Sequence, residues 1–201
     1  MGLIERLRRD ERGGPLAEFA LVVGLIFVTA FTMFEVTRFF MQLAMAEYAT
    51  QLSARRAVVR LPACPGVATI NDRGANTAPR FGTLCSAAAG VCATPATVTC
   101  AGAAGNATVD EIFGVVGPLL PNGATPANLE FRYEPSGLGF LGGPYIPIVS
   151  VSLQNLDHDF ILPLGAGFAP WGGGDGGLQS VRLPPLTATM PGEDLNIGTG
   201  G

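Results

Sequence analysis

The chain has 201 residues, 48% of them hydrophobic and 14% charged, where an ordinary soluble domain carries about 25% charge. Twelve arginines against 16 acidic residues leave a net charge of −4, and the mean hydropathy is +0.37. This balance excludes a basic nucleic-acid binder and a highly charged disordered chain. The length allows about one domain rather than a multidomain enzyme.

Composition changes near Leu61–Pro62. All but four of the 28 glycines and all but one of the 16 prolines lie beyond residue 60. Eight of the 12 arginines lie before it. A helix-forming first part and a turn-rich second part follow, which makes the fold class α+β. The expected organisation is a cytoplasmic leader over residues 1–13, a transmembrane and extended α-helix over 14–60, and an exported Gly/Pro-rich β-containing head over 61–201.

Phe19–Phe34 reads FALVVGLIFVTAFTMF, without a charge and apolar on every face. A surface helix shows a one-sided stripe instead. Counting from Pro15 adds the single acid Glu18 and gives about 20 residues, enough for roughly 30 Å of hydrocarbon. Arg6, Arg8, Arg9 and Arg12 precede the stretch, and a basic flank assigns that side to the cytoplasm. A cleaved secretory signal is the competing reading. Its apolar core runs about 7–15 residues and ends at a small-residue cleavage site; here the run is longer and continues as EVTRFFMQLAMAEYATQLSARRAVVR without Gly or Pro. Residues 15–60 therefore predict one helix of about 69 Å, half of it beyond the bilayer. Met41, Met45, Tyr48, Leu52 and Val59 share one side at helical spacing. Glu35, Arg38 and Gln42, then Glu47, Gln51 and Arg55, form polar stripes. Ala17, Ala20 and Gly24 are small enough to admit a neighbouring helix.

At the membrane junction, Arg12-Gly13-Gly14-Pro15-Leu16-Ala17-Glu18-Phe19 sets a glycine five residues before a glutamate and an aromatic. A carboxylate at the centre of a membrane helix costs about 2.5–3.5 kcal/mol. The plain reading is that Glu18 reaches water at the cytoplasmic interface. The arrangement also resembles the processing site of type IV pilins and pseudopilins. That resemblance implies cleavage between Gly13 and Gly14 by a membrane-embedded aspartic prepilin peptidase, with Glu18 fifth in the mature chain. A neighbouring subunit's Glu18 would then pair with the new α-amino group and set axial register, with Phe19 beside it. Pro15 departs from the pattern but suits a first helical turn.

Four cysteines, Cys64, Cys85, Cys92 and Cys100, fall on the exported side. An even number in an oxidising compartment predicts two disulfides. Zinc is disfavoured because there is no C-x₂-C pair and His158 is the only histidine. Three connectivities are open; Cys64–Cys100 enclosing Cys85–Cys92 is preferred. Either way, bridges would compensate a Gly/Ala/Pro-rich loop with little to bury. Thr108-Val-Asp-Glu111 has the form of a capping box opening a short helix through about Val116, with Ile112, Phe113 and Val116 available for burial. Leu129, Phe131 and Tyr133 alternate with Glu130, Arg132 and Glu134 as a strand, and Pro135-Ser-Gly predicts a turn. Val149, Val151 and Leu153 form a second strand. Phe160–Leu162, SVRL and LTATM complete the set, and Trp171-GGGDGG reads as a flexible connection.

Asp157-His158-Asp159 has metal-ligand chemistry, but successive residues on an extended chain point to opposite faces; a solvated strand end is expected. Asn106-Ala-Thr108 has the form of a glycosylation acceptor and is read as the start of the short helix. The sequence contains no nucleophile elbow, phosphate loop or cysteine–histidine pair that would support catalysis. No enzyme activity, cofactor or metal is expected.

As a whole the chain resembles the TadE-like proteins of the tight-adherence (Tad/Flp) pilus system. The matching blocks are ERGGPLAEFALVVGLIFVTAF, SARRAV with the cysteines after it, FRYEPSGLGFLGGPYIPIVSVSL and LPPLTATMPGEDL. The Cys64–Cys100 loop and Gly172–Gly177 match least. The resemblance implies a minor pseudopilin of the bacterial inner membrane that supports Flp pilus assembly and surface adhesion. Implied partners are the prepilin peptidase, other pilins, TadF- and TadG-like minor subunits, the inner-membrane platform and membrane lipid, with no nucleic acid. An uncleaved single-pass periplasmic scaffold and an anchored enzyme are the alternatives.

Overall fold

A computed structural model describes residues 14–164, 178–193 and 195. The leader 1–13 and the Trp171-GGGDGG segment lie outside the described residues.

Helix α1 runs without a break from Gly14 to Ala57, 44 residues or about 66 Å at 1.5 Å per residue. It continues because nothing between Pro15 and Pro62 is proline and only Gly24 is glycine. Arg55 and Arg56 lie in its last turn, where cations favour the helix dipole. The helix stops three residues before the expected end, and Val58–Arg60 turn toward Pro62. In its first part, Thr29, Thr32 and Thr37 each return a hydroxyl bond to a carbonyl of the preceding turn, at 2.8–3.1 Å. Their polar groups are thus satisfied within the helix itself.

The chain divides into two compact units, one of Met1–Phe40 with Asp159–Val181 and one of Met41–His158 with Arg182–Gly201. In the second unit, strands β1 (Val98–Ala101), β2 (Leu129–Leu138), β3 (Ile146–Leu153) and β6 (Leu186–Pro191) form an antiparallel sheet in the order β1-β2-β3-β6. Period-two alternation divides its faces. Phe131 pairs with Val151 and Tyr133 with Val149, and all four are buried. The opposite face carries Ser150 bonded to Thr189 and Ser152 bonded to Thr187, both at 2.8 Å, with Gln154 on Glu130 at 2.9 Å. A short helix α2 (Ala107–Val116) adds Val109, Ile112 and Val116 to the core. Helix α1 contributes a stripe of small side chains: Ala46, Ala49, Thr50, Ser53, Ala54 and Ala57, each at most 2% exposed. Met41, Met45, Tyr48 and Val59, the larger apolar stripe, are on the other side and exposed.

Two local expectations are corrected. Asn106, not Thr108, caps α2: its side chain accepts from the backbone N–H groups of Thr108 and Val109. The Thr108 hydroxyl is drawn away to donate to the Leu61 carbonyl at 2.8 Å, and Glu111 is taken by arginines of α1. Tertiary partners outcompete the local box. Pro135-Ser-Gly is a bulge within β2 rather than a turn, since Pro135 still faces Pro147 and the register resumes at Leu138–Ile146. Gly137 takes φ +70°, a conformation glycine adopts without a Cβ penalty.

The two disulfides are Cys64–Cys100 and, enclosed within it, Cys85–Cys92. Cys100 pairs in register with Phe131, so the outer bridge ties the end of α1 to the sheet.

Strands β4 (Asp157–Leu164) and β5 (Leu178–Arg182), all but Asp157, His158 and Arg182 assigned to the first unit, form a separate two-stranded ribbon.

Candidate functional site

The first part of α1 is long and apolar enough to cross a membrane. In its most apolar 18-residue window only 6% is buried, where the core helix of a soluble protein would be mostly buried. Leu16, Phe19, Leu21, Val22, Ile26 and Phe27 are each more than half exposed. An exposed apolar surface this large is a binding surface.

Gly14 is the first residue of α1, and Gly13 lies outside the described residues. Glu18 is one turn above Gly14 on the same helix face. Glu18 and Phe19 are both exposed, Phe19 by 67%. The helix therefore presents position 14, the carboxylate and the ring outward, available to a neighbour. Gly24 leaves a notch: a Cβ built there meets nothing within 4 Å.

At the C-terminal end of the apolar stretch, Glu35 is buried to 1% exposure and bonded by Arg38 at 2.9 Å. This pair neutralises the first acid and first base after the uncharged run. One helical turn beyond Arg38, Gln42 meets the Nδ1 of His158. His158 is fully buried, which corrects the expectation of a solvated strand end; Asp157 and Asp159 on either side are exposed. The three residues thus alternate faces and do not converge, and Asp157 instead accepts from Arg182 at 3.2 Å.

Where α1 ends, a set of contacts clamps it to the sheet. Arg60 Nε lies 2.9 Å and Arg56 Nη1 3.3 Å from the Glu111 carboxylate of α2. The Ala63 N–H donates to the Tyr133 hydroxyl at 3.0 Å, and the Glu193 N–H donates to the Val58 carbonyl at 3.0 Å. Asn106 adds a bond to the Ala63 carbonyl. Burial pushes the Tyr133 hydroxyl above the usual tyrosine value of 10.0, opposed by the Ala63 N–H. Sequence reasoning missed this clamp. The available signal was the pair Arg56 and Arg60, four residues apart where the helix-forming part of the sequence ends.

Among the described residues no group of three His, Cys, Asp or Glu side chains is arranged to hold a metal ion. No family profile, characterised protein or solved structure matches this chain. What the fold defines is a class: a long helix with a bare apolar half, joined to a disulfide-stapled β-rich head.

Proposed function

We propose that the chain is a membrane-anchored pilus-assembly subunit of the TadE-like pseudopilin type. The carrying observation is the continuity of α1, which leaves its first half bare and buries its second half in a head held by two disulfides. A simple anchor needs about 20 residues; α1 has 44. The basic flank Arg6–Arg12 sets the N-terminus inside, so the cysteines face an oxidising compartment.

On this reading the prepilin peptidase cuts between Gly13 and Gly14. The new α-amino group of one subunit meets Glu18 of its neighbour among packed helices, where low dielectric strengthens the attraction. That pair selects axial register, because a slip of one turn leaves the carboxylate unpaired in lipid. Flp pilins and the other minor subunits supply the neighbouring helices, the inner-membrane platform moves them, and the head presents the outer surface for adhesion.

Mass spectrometry of the membrane-extracted protein tests this directly. The expected result is a chain beginning at Gly14, with Gly13→Leu blocking both processing and pilus assembly. A full-length chain in cells that make pili contradicts the reading and leaves an uncleaved scaffold in its place.

A further inference from the structure

We infer that the β4–β5 ribbon is a second membrane contact, seated in the outer-leaflet interface beside α1; this rests on the transmembrane reading above. Ile161 of β4 lines an apolar groove with Ala30, Phe31, Phe34 and Glu35 of the helix, all within one compact unit. A span that begins at Pro15 and needs about 20 residues ends near Phe34. At 1.5 Å per residue, Ala30 then lies about 6 Å inside that boundary. The ribbon's neighbourhood is therefore at interfacial depth.

Its chemistry is graded to match. Asp157, Asp159 and Arg182 sit at one end of the ribbon, with Arg182 and Asp157 paired. Beyond them, Phe160–Leu164 and Leu178–Val181 carry no charge. Ile161 is 69% and Leu178 51% exposed, which continues the bare apolar surface of the helix rather than burying against it. A two-stranded ribbon also has open edges whose backbone groups need water or headgroups. It therefore stops at the headgroup boundary and does not enter the hydrocarbon core. The occupant of this surface is phospholipid. Seated there, the ribbon also keeps lipid away from the buried Glu35, which lines the same groove and would be costly to expose to hydrocarbon.

The test uses full-length protein in phosphatidylethanolamine/phosphatidylglycerol vesicles. Ile161→Cys and Leu178→Cys, labelled after oxidative folding with an environment-sensitive fluorophore, are compared with Ile26→Cys and Tyr48→Cys. Iodide is present on both sides, and lipid-borne quenchers sit high or low on the acyl chain. The expected result is a blue shift at 161 and 178, loss of iodide quenching, and quenching by the shallow lipid probe. Ile26 should report the deep probe and Tyr48 should report water. Reporters at 161 and 178 as open to iodide as the one at Tyr48, with Ile26 still deep, overturn the ribbon contact and leave the span intact. An iodide-accessible Ile26 overturns both. Photoactivatable phospholipid on the unsubstituted protein provides a second measurement independent of the variants. Adducts on Phe160–Leu164 or on Leu178–Val181 support the contact, and adducts on the helix without them refute it.

Discussion

Substituting Ala54 by leucine tests which face of α1 is packed. Ala54 is fully buried in the small-residue stripe, with Ala49, Ser53 and Ala57 beside it, also fully buried. Leucine adds three carbons to a site with no free surface, and overpacking of this kind costs about 1–3 kcal/mol. For a chain of this size, about 2 kcal/mol lowers the melting temperature by roughly 4–8 °C. Tyr48 is 57% and Met45 38% exposed, so Tyr48→Ala and Met45→Ala should leave the head's melting temperature nearly unchanged. The assay is near-ultraviolet circular dichroism of full-length protein in detergent, which follows the packing of the head's tyrosines. The reasoning is refuted if Tyr48→Ala and Met45→Ala melt the head early while Ala54→Leu is neutral. That outcome would put the large apolar stripe, not the small one, in the core of the head.

Glu111→Gln should weaken the clamp at the end of α1 by about 1 kcal/mol, since all three partners are partly solvated. A double-mutant cycle with Arg60→Gln should recover a coupling that shrinks in high salt. Tyr133→Phe leaves the Ala63 N–H without its acceptor and should cost about 1–3 kcal/mol, read by chemical denaturation. Because burial raises the Tyr133 value, only the unfolded chain releases this proton near pH 10. Wild-type stability should therefore be unaffected by this group below pH 10 and fall above it through the folded value, a dependence Tyr133→Phe removes in part. The paired Cys64→Ser/Cys100→Ser variant opens a separation of 36 residues and should lose about 4 kcal/mol. Cys85→Ser/Cys92→Ser, with a separation of seven, should lose about 2 kcal/mol by the same measurement.

Much of this architecture is written locally. The unbroken run of helix formers from Pro15 to Leu61 specifies α1, and the all-round apolarity of Phe19–Phe34 specifies its bare half. The alternation at Leu129–Tyr133 and Val149–Leu153 specifies two central strands. Strand β1 carries no such signal: Val98 and Cys100 alternate with Thr99, but four residues beside a cysteine are too short for period two to register against a loop background.

The rest depended on partners distant in the chain. Periodicity weighs large side chains, so it finds the Met41–Tyr48 stripe. It cannot see that alanines, a threonine and a serine make the buried face. Asn106 and Thr108 are both good capping residues, and only the nearby Leu61 carbonyl decides which one is left to cap. His158 reads as a polar strand end until Gln42, 116 residues earlier, closes over it. Patterns carried by neighbours in sequence settle which segments are helix or strand, because backbone hydrogen bonds and side-chain period are local properties. Which face is covered, and which polar group has a companion, follows from steric fit between distant segments, and that exists only once the chain has folded.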